Sequence, residues 1–178
     1  MKNIITTSIF FLCSIICIAQ NDVLKAKADS LSQVSRVKAD LILSHFDRIR
    51  SKKILYSILD EQYYVILKDG DWYKEYYIHT DSTGNISEQR LAKTSKENTK
   101  LFAKAFNINA YRKDFVTKVN NPTVDQGNSS YFVLRDIDGR RYGEYSLSVI
   151  TKPIPIDKQL YVYLLARLLK ESTNKPLK

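Results

Sequence analysis

The sequence predicts an α+β domain: an antiparallel sheet of about five strands, built from two hairpins, with three helices packed on it. Two observations carry this expectation. Twice, a run of strand-favouring residues meets an Asp-Gly turn and returns as a second run. Around these hairpins lie three stretches whose apolar residues recur at three- and four-residue steps, the period of an amphipathic helix. The order is helix, three strands, helix, two strands, helix. Helices packed against one face of the sheet would bury the apolar surface of both.

Residues 21–50 read as a long helix, capped by Asn21 or Asp22. Leu24, Ala28, Leu31, Val34, Val37, Leu41 and Ile42 supply its apolar face. Residues 54–59 continue as a short apolar run whose type stays open. In the first hairpin Gln62 to Lys68 runs out, Asp69-Gly70 turns and Asp71 to His79 returns. A two-residue turn there sets Leu67 opposite Trp72, Val65 opposite Lys74 and Tyr63 opposite Tyr76. Ile66 with Tyr73 and Tyr64 with Glu75 then share the other face. A turn over 81–85 leads to a third strand, Ile86 to Leu91.

Thr94 or Ser95 caps a second helix that runs to about Phe106, with Leu101, Phe102, Ala105 and Phe106 as its apolar face. Residues 107–128 contain the breakers Asn120-Asn121-Pro122 and Gly127, and are long for a loop inside one domain. The second hairpin runs from Ser130 to Ile137, turns at Asp138-Gly139 and returns from Arg140 to Ile150. It sets Phe132 opposite Tyr145, Leu134 opposite Gly143 and Asp136 opposite Arg141. The other face carries Tyr131, Arg135, Arg140, Tyr142 and Glu144. Asp157 caps a last helix through Lys170, apolar over much of its circumference and so either buried or packed on both the sheet and a partner. The polar tail from Ser172 is expected to fray. The two hairpins echo each other in sequence, and shared turn chemistry explains the echo more simply than an internal duplication.

The stretch from Tyr64 to Ile86, with its Asp-Gly turn and Asp81-x-Thr83-Gly84-x-Ile86, resembles a PepSY-type unit. The resemblance covers residues 64–86 and is carried by their turn residues. It implies an exported protein that inhibits or regulates an envelope enzyme.

The N-terminus points to the same compartment. Lys2, an uncharged stretch from Ile4 to Ile18, and the small residues of Cys17-Ile18-Ala19 have the order of a cleavable secretory signal peptide. The stretch is shorter than the ~20 residues of a membrane-crossing helix. An uncleaved anchor and a lipoprotein acylated at Cys17 are the alternatives, and the bulky Ile16 before Cys17 disfavours the second. A cut after Ala19 leaves 20–178 as a single domain with no transmembrane helix, secreted or periplasmic. It also removes Cys13 and Cys17, and with them disulfides, thiol nucleophiles and thiolate metal ligands.

The chain carries 28 Lys and Arg against 19 Asp and Glu, a formal net charge of +9. That balance suits an acidic partner, an anionic envelope surface or nucleic acid, and export argues against nucleic acid. The densest run, Arg48, Arg50, Lys52 and Lys53, falls at an expected helix end, where cations complement the helix dipole.

Signatures of chemistry are sparse. His45 and His79 are the only histidines, and neither a G-x-S-x-G elbow nor H-E-x-x-H is present. Asp69-Gly70-Asp71 and Asp136-Ile137-Asp138-Gly139 lack the further ligands of a calcium loop and read as hairpin turns. No glycine-rich phosphate cradle occurs, so no cofactor or metal is expected. Asp71, Glu75, Asp81 and Glu144 are the carboxylates from which an acid–base pair would be drawn.

The leading expectation is therefore a non-enzymatic exported binding module, one that inhibits or neutralises another envelope or secreted protein. Its expected surface is Tyr64, Tyr73 and Tyr77 on the first hairpin with Tyr131, Arg135, Arg140 and Tyr142 on the second, suited to a protein, peptide or glycan. The competing expectation for these tyrosines is burial beneath a helix. The rival functions are a small exported hydrolase using a histidine or a carboxylate pair, and a structural envelope component.

Overall fold

The computed structural model describes residues 33–59, 61–91, 94–111, 130–147 and 156–173. Residues 1–32, where the signal peptide, both cysteines and the start of the long helix are expected, lie outside this set, as do 60, 92–93, 112–129, 148–155 and 174–178.

The first helix, α1, covers 33–45 among the described residues. Four strands follow: β1 Lys52–Leu59, β2 Gln62–Asp69, β3 Trp72–Thr80 and β4 Ile86–Arg90. Then come α2 Lys96–Ala105, a 3₁₀ turn Ile108–Ala110, β5 Ser130–Arg135, β6 Arg141–Leu147 and α3 Lys158–Thr173. The six strands make one sheet in the order β4-β3-β2-β1-β5-β6, and every pairing is antiparallel.

The fold is α+β, with six strands instead of about five. The added strand is β1, the apolar run whose type the sequence left open, and it occupies the middle of the sheet. A central strand is buried on both faces and so loses the polar–apolar alternation that would announce it. Ile54 and Tyr56 enter one core cluster and Leu55 the other.

That central strand also corrects the expectation of a one-sided sheet, because helices cover both faces. Phe102, Ala105 and Phe106 from α2 and its C-cap, with Leu160, Leu164 and Leu168 from α3, pack on Ile54, Tyr56, Tyr64, Ile66, Tyr77, Phe132 and Leu134. On the opposite face Ala39, Ile42, Leu43 and Phe46 pack on Leu55, Tyr63, Val65, Leu67, Tyr76, Ile78, Tyr131 and Val133. Caps form where their chemistry places them. Ser95 accepts from the Asn98 amide, and Asp157 accepts from the amides of Gln159 and Leu160 at 3.0 and 3.2 Å.

The helix α1 ends at 45 and closes through turn bonds such as Phe46 N to Leu43 O at 3.1 Å. Its apolar stripe differs from expectation. Of the expected face, Ile42 does pack on the sheet, beside Ala39, Leu43 and Phe46, while Val34, Val37 and Leu41 point outward and Leu24, Ala28 and Leu31 lie outside the described residues. At about 100° per residue the two stripes lie on opposite sides of the helix, and periodicity alone does not choose between them.

Both hairpin registers shift from expectation. In the first, Asp69 pairs with Trp72 and Tyr64 with Tyr77, so the two turn residues are Gly70-Asp71. Gly70 has φ of +61°, as a type II′ turn requires at its first central position. The slip is two residues, so every side chain keeps its face. In the second, Phe132 does pair with Tyr145, but Leu134 pairs with Tyr142 and Arg135 with Arg141. A three-residue loop, Ile137-Asp138-Gly139, changes the register by one, and a bulge at Gly143 restores it. The bulge puts Tyr142 on the face of α2 and α3 and leaves Glu144 on the face of α1.

Candidate functional site

Alternation along β3 sends Tyr73, Glu75 and Tyr77 to the face that α2 and α3 cover. Glu75 is 3% exposed in an otherwise aromatic and aliphatic layer. A buried carboxyl demands partners, and three other segments supply them. Tyr64, on β2, donates its hydroxyl to Oε2. Tyr163, on α3, donates to the same oxygen at 2.6 Å, and Thr94, just before α2, donates to Oε1 at 2.6 Å. One turn beyond Tyr163, Arg167 places Nε 3.7 Å from Oε2 and Nη1 3.4 Å from Glu171. Asn98 donates to the Tyr163 hydroxyl at 3.1 Å. The rings of Tyr73 and Tyr163 lie 5.4 and 5.3 Å from Phe102 and close the cluster.

Burial, reinforced by the adjacent Glu75, holds the Tyr64 and Tyr163 phenols protonated well above the ordinary tyrosine range. They stay donors at neutral pH. Both oxygens of Glu75 accept hydrogen bonds from within the chain. The arrangement is a clasp joining β2, β3, the approach to α2, and α3.

A second polar cluster lies on the opposite face. Glu144 accepts from Arg36 Nε at 2.8 Å, from the Tyr131 hydroxyl at 2.6 Å and from Arg141 Nη1 at 3.0 Å. Arg141 also pairs with Asp40, and Asp47 pairs with Arg135 and, at 3.4 Å, with Lys53. These bonds fasten α1 to β1, β5 and β6. Burial alone would raise the Glu144 carboxyl, but its bonds from Arg36 and Tyr131 and the charge of Arg141 outweigh it and hold the group below 4.5.

A folded value below the unfolded one contributes stability that is present above about pH 4.5 and is lost as the pH falls through the folded value. Denaturant midpoints at about pH 7 and about pH 3 are therefore expected to differ more in the wild type than in Glu144→Gln. Equal differences in the two proteins would show that Glu144 contributes no such linkage.

The seven expected site residues do not share one surface. Tyr64 and Tyr77 are buried beneath α2 and α3, with Tyr73 and Tyr142 packed at the edge of the same cluster. Tyr131 is buried on the α1 face, bonded to Glu144, and Arg135 is held by Asp47. Arg140 stays exposed in the second turn, paired with Asp138 at 2.8 Å. His45 bonds Glu88 at 2.9 Å and ties α1 to β4. His79 and Gln62 pair across strands, and His79 Nδ1 and Gln62 Oε1 are buried without a hydrogen-bond partner among the described residues. Among these residues no three metal-ligating side chains gather, and no helix is long and apolar enough to cross a membrane.

Sequence reasoning named Glu75 only as one carboxylate among several, offered Thr94 only as a helix cap, and missed Tyr163 and Arg167. The usable signal was a single acid between Tyr73 and Tyr77 on a strand face otherwise fit for a core. No protein-family model, curated protein or solved structure matches the chain.

Proposed function

We propose that this protein is a non-enzymatic interaction module that works outside the cytoplasm and docks a protein partner across the outer side of α1. The observation that supports this reading is the outward stripe of that helix. Val34, Val37 and Leu41 are 48%, 69% and 54% exposed, at positions i, i+3 and i+7, on the side of α1 opposite the core. Solitary surface hydrophobes need no explanation, but an aligned row of branched side chains fits a helix that packs on both sides. The polar clusters add indirect support, since the groups with acid–base potential in them are occupied by the chain's own contacts. The signal-like order of the N-terminus supports the export part of this reading.

A photocrosslinking side chain at Val37, in the protein expressed at native level, tests the proposal, with Ser82 in an exposed turn as the control site. The expected result is an adduct of discrete size from position 37, abolished by Leu41→Glu and absent from position 82. The same products from both sites, or none from position 37, would overturn it.

A further inference from the structure

The strand order brings a second surface together at one end of the sheet. β1 begins where β2 and β5 end, with Lys52 paired to Lys68 and Lys53 to Arg135. Both hairpin tips therefore project from the same end, with the α1–β1 turn beside them. At about 4.8 Å per strand, three strand steps set the two hairpins about 14 Å apart. Each tip presents one large apolar side chain, Trp72 at 65% and Ile137 at 49% exposure.

Cations surround these two side chains. Lys52 pairs with Asp136, Lys74 with Asp69 and Arg140 with Asp138. Arg48 and Arg50 in the α1–β1 turn and Lys68 at the end of β2 have no ion pair with a described residue, and Asp71 in the first tip carries the opposing charge. The surface thus combines surplus positive charge with an indole at the base of one hairpin turn and a branched aliphatic side chain on the other. A bilayer interface favours that combination: indoles concentrate at headgroup depth, and basic side chains are drawn to anionic headgroups.

We infer that this end of the sheet docks on an anionic lipid bilayer, with Trp72 and Ile137 entering the headgroup region and Arg48, Arg50 and Lys68 meeting lipid phosphates. The outer side of α1 is a different surface, so failure of either proposal leaves the other standing.

Trp72 is the chain's one tryptophan, so its emission reports directly on the proposed contact. The protein, purified after export, is titrated with vesicles of phosphatidylglycerol and phosphatidylcholine, and with phosphatidylcholine alone. The expected result is a blue shift on the anionic vesicles only, weakened by salt. The combined variant Arg48→Gln, Arg50→Gln, Lys68→Gln should lower partitioning roughly 100-fold, and Ile137→Asp should lower it with the charge unchanged at the basic positions. Circular dichroism checks that each variant keeps its fold. No shift on anionic vesicles, an equal shift on neutral ones, or the same Trp72 response to soluble heparin would each overturn the inference.

Discussion

Replacing Glu75 with alanine is expected to cost about 3–5 kcal/mol, a large part of the stability of a domain this size. The loss comes from the partners left behind. Tyr64, Tyr163 and Thr94 would all keep hydroxyls aimed at a vanished acceptor, and Arg167 would keep only Glu171. Each buried polar group without a partner costs about 1–3 kcal/mol. Removing a single donor is milder, and Tyr163→Phe should cost about 1 kcal/mol. In that background the Glu75→Ala penalty should shrink by at least about 0.5 kcal/mol, because the two side chains share one oxygen. Converting Tyr64 and Tyr163 to phenylalanine, Thr94 to valine and Arg167 to methionine together with Glu75→Leu should recover most of the loss, since an apolar replacement of a whole buried polar group is often neutral. Urea unfolding at constant m measures all of these. A Glu75→Ala midpoint close to wild type would show that the clasp contributes nothing to stability.

Gly143→Ala is the second substitution with a large expected effect, about 3 kcal/mol. Two independent costs meet at this position. Its φ of +57° lies in the left-handed region, where a β-carbon costs roughly 1–2 kcal/mol. That β-carbon would also stand 2.4 Å from Tyr111 Cδ1 and 2.9 Å from Cε1. The ring has little room to yield, because it stacks on Phe132 at 6.0 Å and its hydroxyl donates to the Ala105 carbonyl at 2.6 Å. Gly70 separates the two costs, since it has φ of +61° with nothing within 4 Å of an added β-carbon. Gly70→Ala should therefore cost about 1 kcal/mol, and Gly143→Ala should fall to that level when Tyr111 is first made alanine. If alanine at 143 proves no worse than alanine at 70, crowding by Tyr111 plays no part.

What could be read from the sequence follows a division between local and distant causes. Asp157 was recognisable as a cap, and Ser95 as one of two candidates with Thr94, because a cap and the amides it serves lie within a few residues. The hairpins were recognisable from their glycines, though the choice of turn residues was off by one in the first. The second hairpin failed in detail because nothing local distinguishes the three-residue loop and the Gly143 bulge from a plain two-residue turn. The sidedness of α1 was ambiguous because both of its stripes are apolar, and only the sheet decides between them. Glu75 draws its partners from Tyr64, Thr94, Tyr163 and Arg167, so no window of sequence contains the cluster. The basic end of the sheet became visible only with the strand order, which places Arg48, Lys68 and Ile137 around one rim.

The two outer strands carry a further consequence. β4 is five residues long, and four of them, Ser87 to Arg90, are exposed, with Glu88 and Arg90 of opposite charge. β6 is interrupted by its bulge after two residues. Short, charged or kinked borders make poor templates for another chain's backbone, and they resist the edge-to-edge growth by which sheets polymerise. Among the described residues, then, neither border offers the long, flat edge to which a seventh strand would readily add.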